Sequence, residues 1–330
     1  MREQVQRKCE RKSAKAAKDA AQAQAVHGCL DRDGHDESGQ PARAIHGDML
    51  AGKPSGASVI PWFASPAVSL GFATLDLSLV FTVLGACATL VWAGRQARSA
   101  GLQARRVVDG LMLAMASGLV IGHGVDVIFY RPDDLHAGWR ALLPWSGGLS
   151  SLGLLAGAGV AVLIVFRTDH GLAWDYLDRA AQPILLGIVL VRLGCFLGHD
   201  HAGQLTPFPA AVAYPGGARH DLGLDEALLV SGILAATVAL RTRLARFRGG
   251  LCLASAAGYA LLRFVLESLR GTDLHLLGRH SDRRWAGFTL VQIIALPAML
   301  LFGRTWLRLR KQAVATGQAL PDGQRGQARE

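Results

Sequence analysis

Residues 70–93 read LGFATLDLSLVFTVLGACATLVWA, and Asp76 is the one charged residue in this stretch. A helix needs roughly 20 apolar residues to cross about 30 Å of hydrocarbon. Further apolar runs occupy 107–130, 145–166, 180–197, 224–240, 250–269 and 286–303. The sequence therefore predicts an all-α, polytopic integral membrane protein with about seven transmembrane helices.

The charged residues lie mostly outside these apolar runs. They make up 18% of the 330 residues, whereas about 25% is usual in soluble domains, and 51% of the chain is hydrophobic. Residues 1–48 and 312–330 are polar and lack apolar periodicity, which is typical of disorder. We therefore expect a seven-span membrane domain at 56–311 and a disordered cytoplasmic tail at 312–330. Residues 1–55 are expected to be disordered or to precede a true translation start near Met49.

The arginine and lysine residues between the apolar runs predict the orientation. The segments 95–106, 167–179, 241–249 and 304–311 hold 14 of them, and the alternate segments 131–143, 198–223 and 270–285 hold seven. Positive residues close to helix ends concentrate on the cytoplasmic side of a membrane. We therefore expect the N-terminus outside and the C-terminus in the cytoplasm.

Two other classes of protein are disfavoured by composition. The net charge of +10 comes largely from arginines at the ends of apolar runs, and aromatic residues are not interleaved with them. A nucleic-acid stacking platform needs such interleaving, so no nucleic-acid partner is expected. The five cysteines form no CxxC pair, and we expect neither a disulfide framework nor a bound cofactor.

Several polar residues fall inside the apolar runs. A charged side chain at the centre of a bilayer costs at least roughly 2.5–3.5 kcal/mol, so each of them is a candidate functional residue. They are His123 and Asp126, Arg192, Asp225 and Glu226, Arg263, Glu267 and Arg270, and Gln292. For Arg263 with Glu267, and for His123 with Asp126, a purely structural pairing within or between helices is the alternative interpretation.

Arg192 and Arg263 are the strongest of these candidates. Arg192 has no acidic residue one turn away in its own run, so its charge needs a partner from another helix or from a ligand. The guanidinium group is suited to two-pronged contact with phosphate. The two arginines therefore predict a phosphate clamp, and the natural phosphate within a membrane is a phospholipid headgroup.

Three stretches of the sequence and one glutamine carry a resemblance to a known family. Residues 192–203, RLGCFLGHDHAG, are similar to the pattern R-x-G-N-F-x-N-x-E-x-x-G. Residues 218–226, ARHDLGLDE, resemble R-H-P-x-Q-L-Y-E, and residues 262–270, LRFVLESLR, resemble R-F-x-x-E-x-x-R. Gln292 matches a glutamine in the last span. These are patterns of the bacterial prolipoprotein diacylglyceryl transferases, and the resemblance runs from about residue 66 to 303 with the same seven-span topology.

The resemblance implies a transferase of the bacterial plasma (inner) membrane. Such an enzyme moves the diacylglyceryl group of phosphatidylglycerol to the thiol of a prolipoprotein lipobox cysteine and releases glycerol phosphate. By matched position, Arg192 and Arg263 are implied to stabilise the phosphate in the transition state. The residues implied to bind substrate are Asp200, Gly203, His220, Glu226, Glu267, Arg270 and Gln292.

Some positions differ from the family pattern. Leu152 stands where the third span of the family has a histidine, Cys195 and Gly198 replace two asparagines, and Ser78 replaces a tyrosine. An imidazole elsewhere is then needed for proton transfer, and His123 and His199 are the candidates, because histidine titrates near neutral pH.

Three alternatives stay open at the level of sequence. The first is a relative that binds phospholipid without catalysis, or a different membrane-lipid transferase. The second is a metal site built on the HxH pair of His199 and His201, with His220 and Asp221 nearby. The third is a transporter, which the lack of a convincing internal repeat disfavours.

Overall fold

A computed structural model describes residues 60–69, 74–129, 132, 135, 138, 143, 150–167, 169–273 and 284–317, all of which belong to one unit, Ala57–Glu330. The helices are α1 Leu77–Ser99, α2 Ala104–Phe129, α3 Ser151–Val165, α4 His170–Leu197, α5 Leu222–Ala239, α6 Arg241–Leu244, α7 Gly250–Glu267 and α8 Leu290–Ala315. The strands are β1 Ala67–Ser69, β2 Thr74–Asp76, β3 Ala202–Leu205, β4 Val212–Tyr214, β5 Gly217–Asp221, β6 Arg284–Trp285 and β7 Phe288–Thr289. The predicted extension at 1–55 and most of the predicted tail lie outside the described residues.

Six of the described helices are long and apolar enough to cross a membrane: α1, α2, α4, α5, α7 and α8. The remaining predicted span is represented by α3, an apolar helix of 15 residues. At 1.5 Å per residue it is about 22 Å long, less than the hydrocarbon thickness. The start predicted for this span, 145–149, lies outside the described residues. The prediction of an all-α polytopic membrane protein is confirmed.

Helix ends differ from the apolar runs where polar groups cap them. The first helix starts at Leu77 rather than near 70, because residues 74–76 pair with β1 and Asp76 Oδ1 accepts a hydrogen bond from Ser78 N at 2.9 Å. Helix α4 starts ten residues earlier than its apolar run, at His170. Its added turns carry Asp178, whose carboxylate accepts hydrogen bonds from Gly249 N at 2.7 Å and Cys252 N at 2.8 Å. It thereby caps the start of α7, whose first N–H groups have no partner within the helix.

A small sheet lies at one end of the helices. Its order is β3–β5–β4, antiparallel throughout, and Ile60 adds a bridge beside Val212. Helix α4 ends directly before this sheet and α5 begins directly after it. We call this end of the helices the sheet face.

The described helices cross between the two ends seven times if α3 is included. The sheet face contains the starts of α1, α3, α5 and α8 and the ends of α2, α4 and α7. Close contacts support this, since Gly194 near the end of α4 lies against Ser78 and Phe81 at the start of α1. The four segments that together hold 14 of the arginine and lysine residues (95–106, 167–179, 241–249 and 304–311) therefore lie at the opposite end, and the three that hold seven connect helix ends on the side of the sheet face.

We predict that the sheet face is external. Reporter fusions after residue 100 and after residue 245 should report a cytoplasmic location, and a fusion near residue 210 should report an external location. The reason is the charge difference between the two sets of connecting segments. An external signal after residue 245 would contradict the seven-span topology.

Helices α2 and α3 pack with their backbones in direct contact. A Cβ atom at Gly153 or Gly157 would overlap the backbone at Gly122 or Gly118 respectively, and Ser117 Oγ donates a hydrogen bond to Gly157 O at 2.8 Å. Small residues permit such close approach in lipid, where helix association depends on packing.

We expect Gly157→Leu to separate these two helices. An added side chain cannot be accommodated against backbone atoms, and overpacking of this kind typically costs about 1–3 kcal/mol or more. Gly159→Leu is the matched control, because a Cβ atom there meets nothing within 4 Å. Melting temperature in detergent should fall for the first variant and stay near that of the parent for the second. Equal melting temperatures would contradict the observed packing.

Candidate functional site

Glu226 on α5 binds two arginines that come from two other helices. Its Oε2 lies 3.0 Å from Nε of Arg192 on α4 and 2.7 Å from Nη1 of Arg263 on α7. Its Oε1 accepts a hydrogen bond from Tyr259 Oη at 2.8 Å. Glu226 is therefore the partner that Arg192 needed from outside its own helix, and it holds the two arginines on one oxygen atom.

A second carboxylate extends this network along α7. Glu267 Oε2 lies 3.0 Å from Arg263 Nη2, and Glu267 Oε1 lies 2.8 Å from Arg270 Nε. The predicted pair of Arg263 and Glu267 is thus present. We call Arg192, Glu226, Tyr259, Arg263, Glu267 and Arg270 the arginine network; its formal charges are three positive and two negative.

The network is buried at its centre and reachable at its edges. Exposed fractions of the side chains are 1% for Glu226, 14% for Arg192 and 24% for Arg270. Arg192 lies five residues from the end of α4, and Glu226 lies four residues from the start of α5. At 1.5 Å per residue both lie about 6–8 Å below the helix ends at the sheet face. An anion would therefore approach from that end.

The close approach of α4 and α5 explains why these residues meet. A Cβ atom at Gly223 would lie 2.7 Å from Phe196 N, so a larger residue there would push the helices apart. Asp221 fixes the start of α5, because its Oδ1 accepts hydrogen bonds from Gly223 N at 3.0 Å and Leu224 N at 3.2 Å. The cap and the glycine together set the height of Glu226 relative to Arg192.

Gly203 joins the sheet to the end of α7. It forms an antiparallel bridge with Arg270, and a Cβ atom at Gly203 would lie 2.9 Å from both Leu269 O and His220 Cβ. Arg219 strengthens this junction, since its guanidinium binds Asp273 at 2.9 and 2.6 Å and donates to Gly203 O at 3.1 Å. Gly203 therefore permits a close backbone contact beside Arg270.

His220, the penultimate residue of β5, pairs with Asp225 near the start of α5. Its Nδ1 lies 2.9 Å from Asp225 Oδ2, and both side chains are mostly buried. The ring stacks on Phe208 with centroids 5.7 Å apart. Asp225 directly precedes Glu226 on α5, so both carboxylates come from the start of this helix.

His199 is enclosed by aromatic rings. Trp62 stacks on it with ring centroids 4.1 Å apart, and Phe63 lies 4.3 Å away. His199 is 1% exposed, and its Nδ1 lies 3.2 Å from Asp221 Oδ2, which also accepts a hydrogen bond from Tyr214 Oη at 2.7 Å. These contacts hold residues 60–63 against the sheet and leave His199 almost fully buried.

The other predicted residues fall in three different settings. His123 is buried on α2, which packs mainly on α3 and α1, whereas the arginine network lies on α4, α5 and α7. Asp200 is exposed, directly after the end of α4. Gln292 forms a capping box with Thr289 at the start of α8 and donates hydrogen bonds to Phe264 O at 3.2 Å and Ser268 Oγ at 2.9 Å. It ties α8 to the part of α7 that carries Arg263 and Glu267.

Sequence reasoning missed Tyr259 and the junction of Arg219 with Asp273. Tyr259 precedes Arg263 by four residues, so the i, i+4 spacing on an apolar helix was an available signal. Arg219 and Asp273 are far apart in sequence, and no local pattern predicts their pairing. Among the residues that the structure describes, no group of three or more His, Cys, Asp or Glu side chains is placed to hold a metal ion.

Comparisons with known proteins identify the family to which this chain is similar. The family model for prolipoprotein diacylglyceryl transferase matches residues 67–307. Curated relatives carry the name phosphatidylglycerol–prolipoprotein diacylglyceryl transferase. The protein from Rhizobium leguminosarum bv. trifolii is 31% identical over 231 residues, 68% of this chain and 79% of the relative. The protein from Rhizobium meliloti is 29% identical over 216 residues, 63% of this chain and 76% of the relative.

The match covers α1, α2, α3, α4, α5 and α7, most of α8, and every residue of the arginine network. A family model that matches most of a chain, together with relatives that bear the same name, establishes membership. This multi-pass membrane protein belongs to the prolipoprotein diacylglyceryl transferase family of enzymes.

Proposed function

We propose that this protein transfers the diacylglyceryl group of phosphatidylglycerol to the lipobox cysteine of a prolipoprotein at the outer side of the bacterial plasma membrane. The observation that carries the proposal is the convergence of Arg192 and Arg263 on one oxygen of Glu226, at 3.0 and 2.7 Å. Two guanidinium groups fixed so close together form a site for an anion, and Arg192 lies on its more exposed side.

The geometry suits the leaving group of this reaction. A thiolate attacks the glyceryl carbon, the carbon–oxygen bond breaks, and its electron pair stays on the phosphate oxygen. Negative charge therefore grows on a phosphate, and fixed cations in a site with little water stabilise such charge strongly. The helical scaffold holds the arginines before substrate arrives, so little reorganisation is needed.

The apolar surroundings favour a lipid as the donor. Leu228 and Leu229 on α5 and Val265 on α7 are exposed on the surfaces of helices long enough to span a membrane. These side chains face hydrocarbon when the helices are inserted, while the arginines lie at the depth of a headgroup. Acyl chains along such surfaces would place the phosphate at the depth of the network, near the helix ends at the sheet face.

The test is release of glycerol phosphate by the purified protein from phosphatidylglycerol vesicles with a lipobox peptide. We expect release that needs both the lipid and the cysteine, and a peptide with serine in place of cysteine is the matched control. Growth of a strain depleted of its own diacylglyceryl transferase should also be restored. Absence of release and of growth with folded protein would overturn the proposal.

A second candidate function is phospholipid binding without catalysis. Leu152 favours it, because an aliphatic side chain on α3 cannot transfer a proton where the family pattern has a histidine. The assay described above distinguishes catalysis from binding when lipid binding is measured beside it. Binding of phosphatidylglycerol that depends on Arg192, without release of glycerol phosphate, would support the binding function.

A further inference from the structure

The pair of His220 and Asp225 has the geometry of a proton-accepting dyad. The imidazole Nδ1 lies 2.9 Å from the carboxylate Oδ2. A carboxylate at this nitrogen orients the ring, favours the tautomer with the proton on Nδ1, and stabilises the ring once it is protonated. The second ring nitrogen, Nε2, then carries the lone pair that can accept a proton.

The carboxylate of the dyad and that of Glu226 both come from the start of α5. Asp225 and Glu226 are consecutive residues of α5, so their Cα atoms are about 3.8 Å apart. On its other side, His220 packs on Gly203, whose backbone bridges to Arg270. His220 is therefore joined to residues of the arginine network through short stretches of backbone, at the start of α5 and at Gly203.

The two other candidate imidazoles are placed less favourably. His199 also has a carboxylate at Nδ1, that of Asp221, but its ring is enclosed by Trp62 and Phe63 and the residue is only 1% exposed, whereas the His220 side chain is 17% exposed. His123 lies on α2, which packs mainly on α3 and α1. The carboxylate that holds His220 belongs to the residue directly before Glu226 on α5, whereas the carboxylate that holds His199, Asp221, precedes that helix.

We infer that His220, oriented by Asp225, accepts the thiol proton of the lipobox cysteine, an inference that rests on the proposed transfer reaction. A thiol has a pKa near 8.5, so only a few per cent is thiolate at pH 7. The proton passes from sulfur to His220 Nε2 as the new sulfur–carbon bond forms. The electron pair of the breaking carbon–oxygen bond leaves with the phosphate, and the imidazolium returns its proton to that phosphate or to water. Asp225 keeps its own proton state and acts as a positioning residue.

The experiment compares two acceptor peptides. One has cysteine in the lipobox, and the other has selenocysteine, whose selenol is largely ionised at neutral pH without a base. His220→Gln keeps a hydrogen-bond donor for Asp225 but cannot accept the proton. With the cysteine peptide we expect its turnover to fall about 10²–10⁴-fold, the usual contribution of a general base. With the selenocysteine peptide we expect a loss below about tenfold, because no base is needed at that step.

Further measurements separate a catalytic from a structural role. Asp225→Asn should lower kcat for the cysteine peptide more than it changes KM, and it should affect the selenocysteine peptide little. Asp109→Asn, which removes an exposed carboxylate paired with Arg105, is the matched control and should leave both rates unchanged. Added imidazole should partly restore turnover of the cysteine peptide by His220→Ala.

Three outcomes would overturn the inference. The first is wild-type turnover of the cysteine peptide by His220→Gln. The second is an equal loss with both peptides, which would show a structural or binding role. The third is a parent protein that releases no glycerol phosphate with either peptide; this removes the proposed function itself, and it is recognised before any variant is made.

Discussion

Glu226→Ala should prevent the protein from accumulating in a folded form. This carboxylate is 1% exposed and contacts Arg192, Arg263 and Tyr259. Its removal leaves two guanidinium groups in an apolar site without the oxygen that both of them contact. Breaking a buried ion pair from one side typically costs about 3–5 kcal/mol, and the total free energy of unfolding of a domain is only about 5–15 kcal/mol.

The measurement is the yield and melting temperature of the variant in detergent, beside those of Asp175→Ala. Asp175 pairs with Arg248 at 3.2 Å, and this pair is more exposed than the Glu226 pairs. An ion pair of that kind contributes about 0–1 kcal/mol, so this control should behave like the parent. The yield and melting temperature of Glu267→Ala should lie between those of Glu226→Ala and Asp175→Ala, because Arg263 would keep its ion pair with Glu226. A normal yield of Glu226→Ala would show that the two arginines do not depend on this carboxylate.

The fold was predictable because span length depends on local composition. Each predicted run contains a helix, and the largest differences occur where a polar group acts from another part of the chain. Asp178 caps α7 and needs the additional turns of α4, which hydropathy alone does not include. Helix α8 continues to Ala315 because Arg304, Arg308 and Arg310 are compatible with a helix that leaves the membrane.

The site was predictable only in part, because several of its contacts join residues that are far apart in sequence. Arg263 and Glu267 are four residues apart on one helix, so their pairing follows from helical geometry. Arg192 and Glu226 come from two helices that precede and follow the sheet in sequence. Sequence spacing does not predict which faces of these helices are in contact. The enclosure of His199 depends on Trp62 and Phe63, which precede the first span. The prediction that His199 takes part in proton transfer rested on its residue type alone.

Arg192→Lys should leave the protein folded but lower turnover of phosphatidylglycerol at least tenfold. Lysine keeps the positive charge, so Glu226 still has a partner on α4 and no carboxylate is left alone. Lysine lacks the planar fork that contacts two oxygens at once, and an ammonium group held by Glu226 presents no second face to a phosphate. A tenfold loss corresponds to about 1.4 kcal/mol of transition-state stabilisation.

The comparison with Arg105→Lys makes the result specific. Arg105 lies on α2 in an exposed pair with Asp109 and has no role in the proposed site, so the same replacement there should change neither stability nor turnover. Melting temperature shows whether Arg192→Lys remains folded, and glycerol phosphate release measures its activity. Lysine can replace arginine nearly as well where only the positive charge is needed. It cannot do so where two hydrogen bonds from one planar group bind a phosphate. An Arg192→Lys protein that is both as stable and as active as the parent would therefore mean that Arg192 only balances the charge of Glu226, and that the phosphate is bound elsewhere.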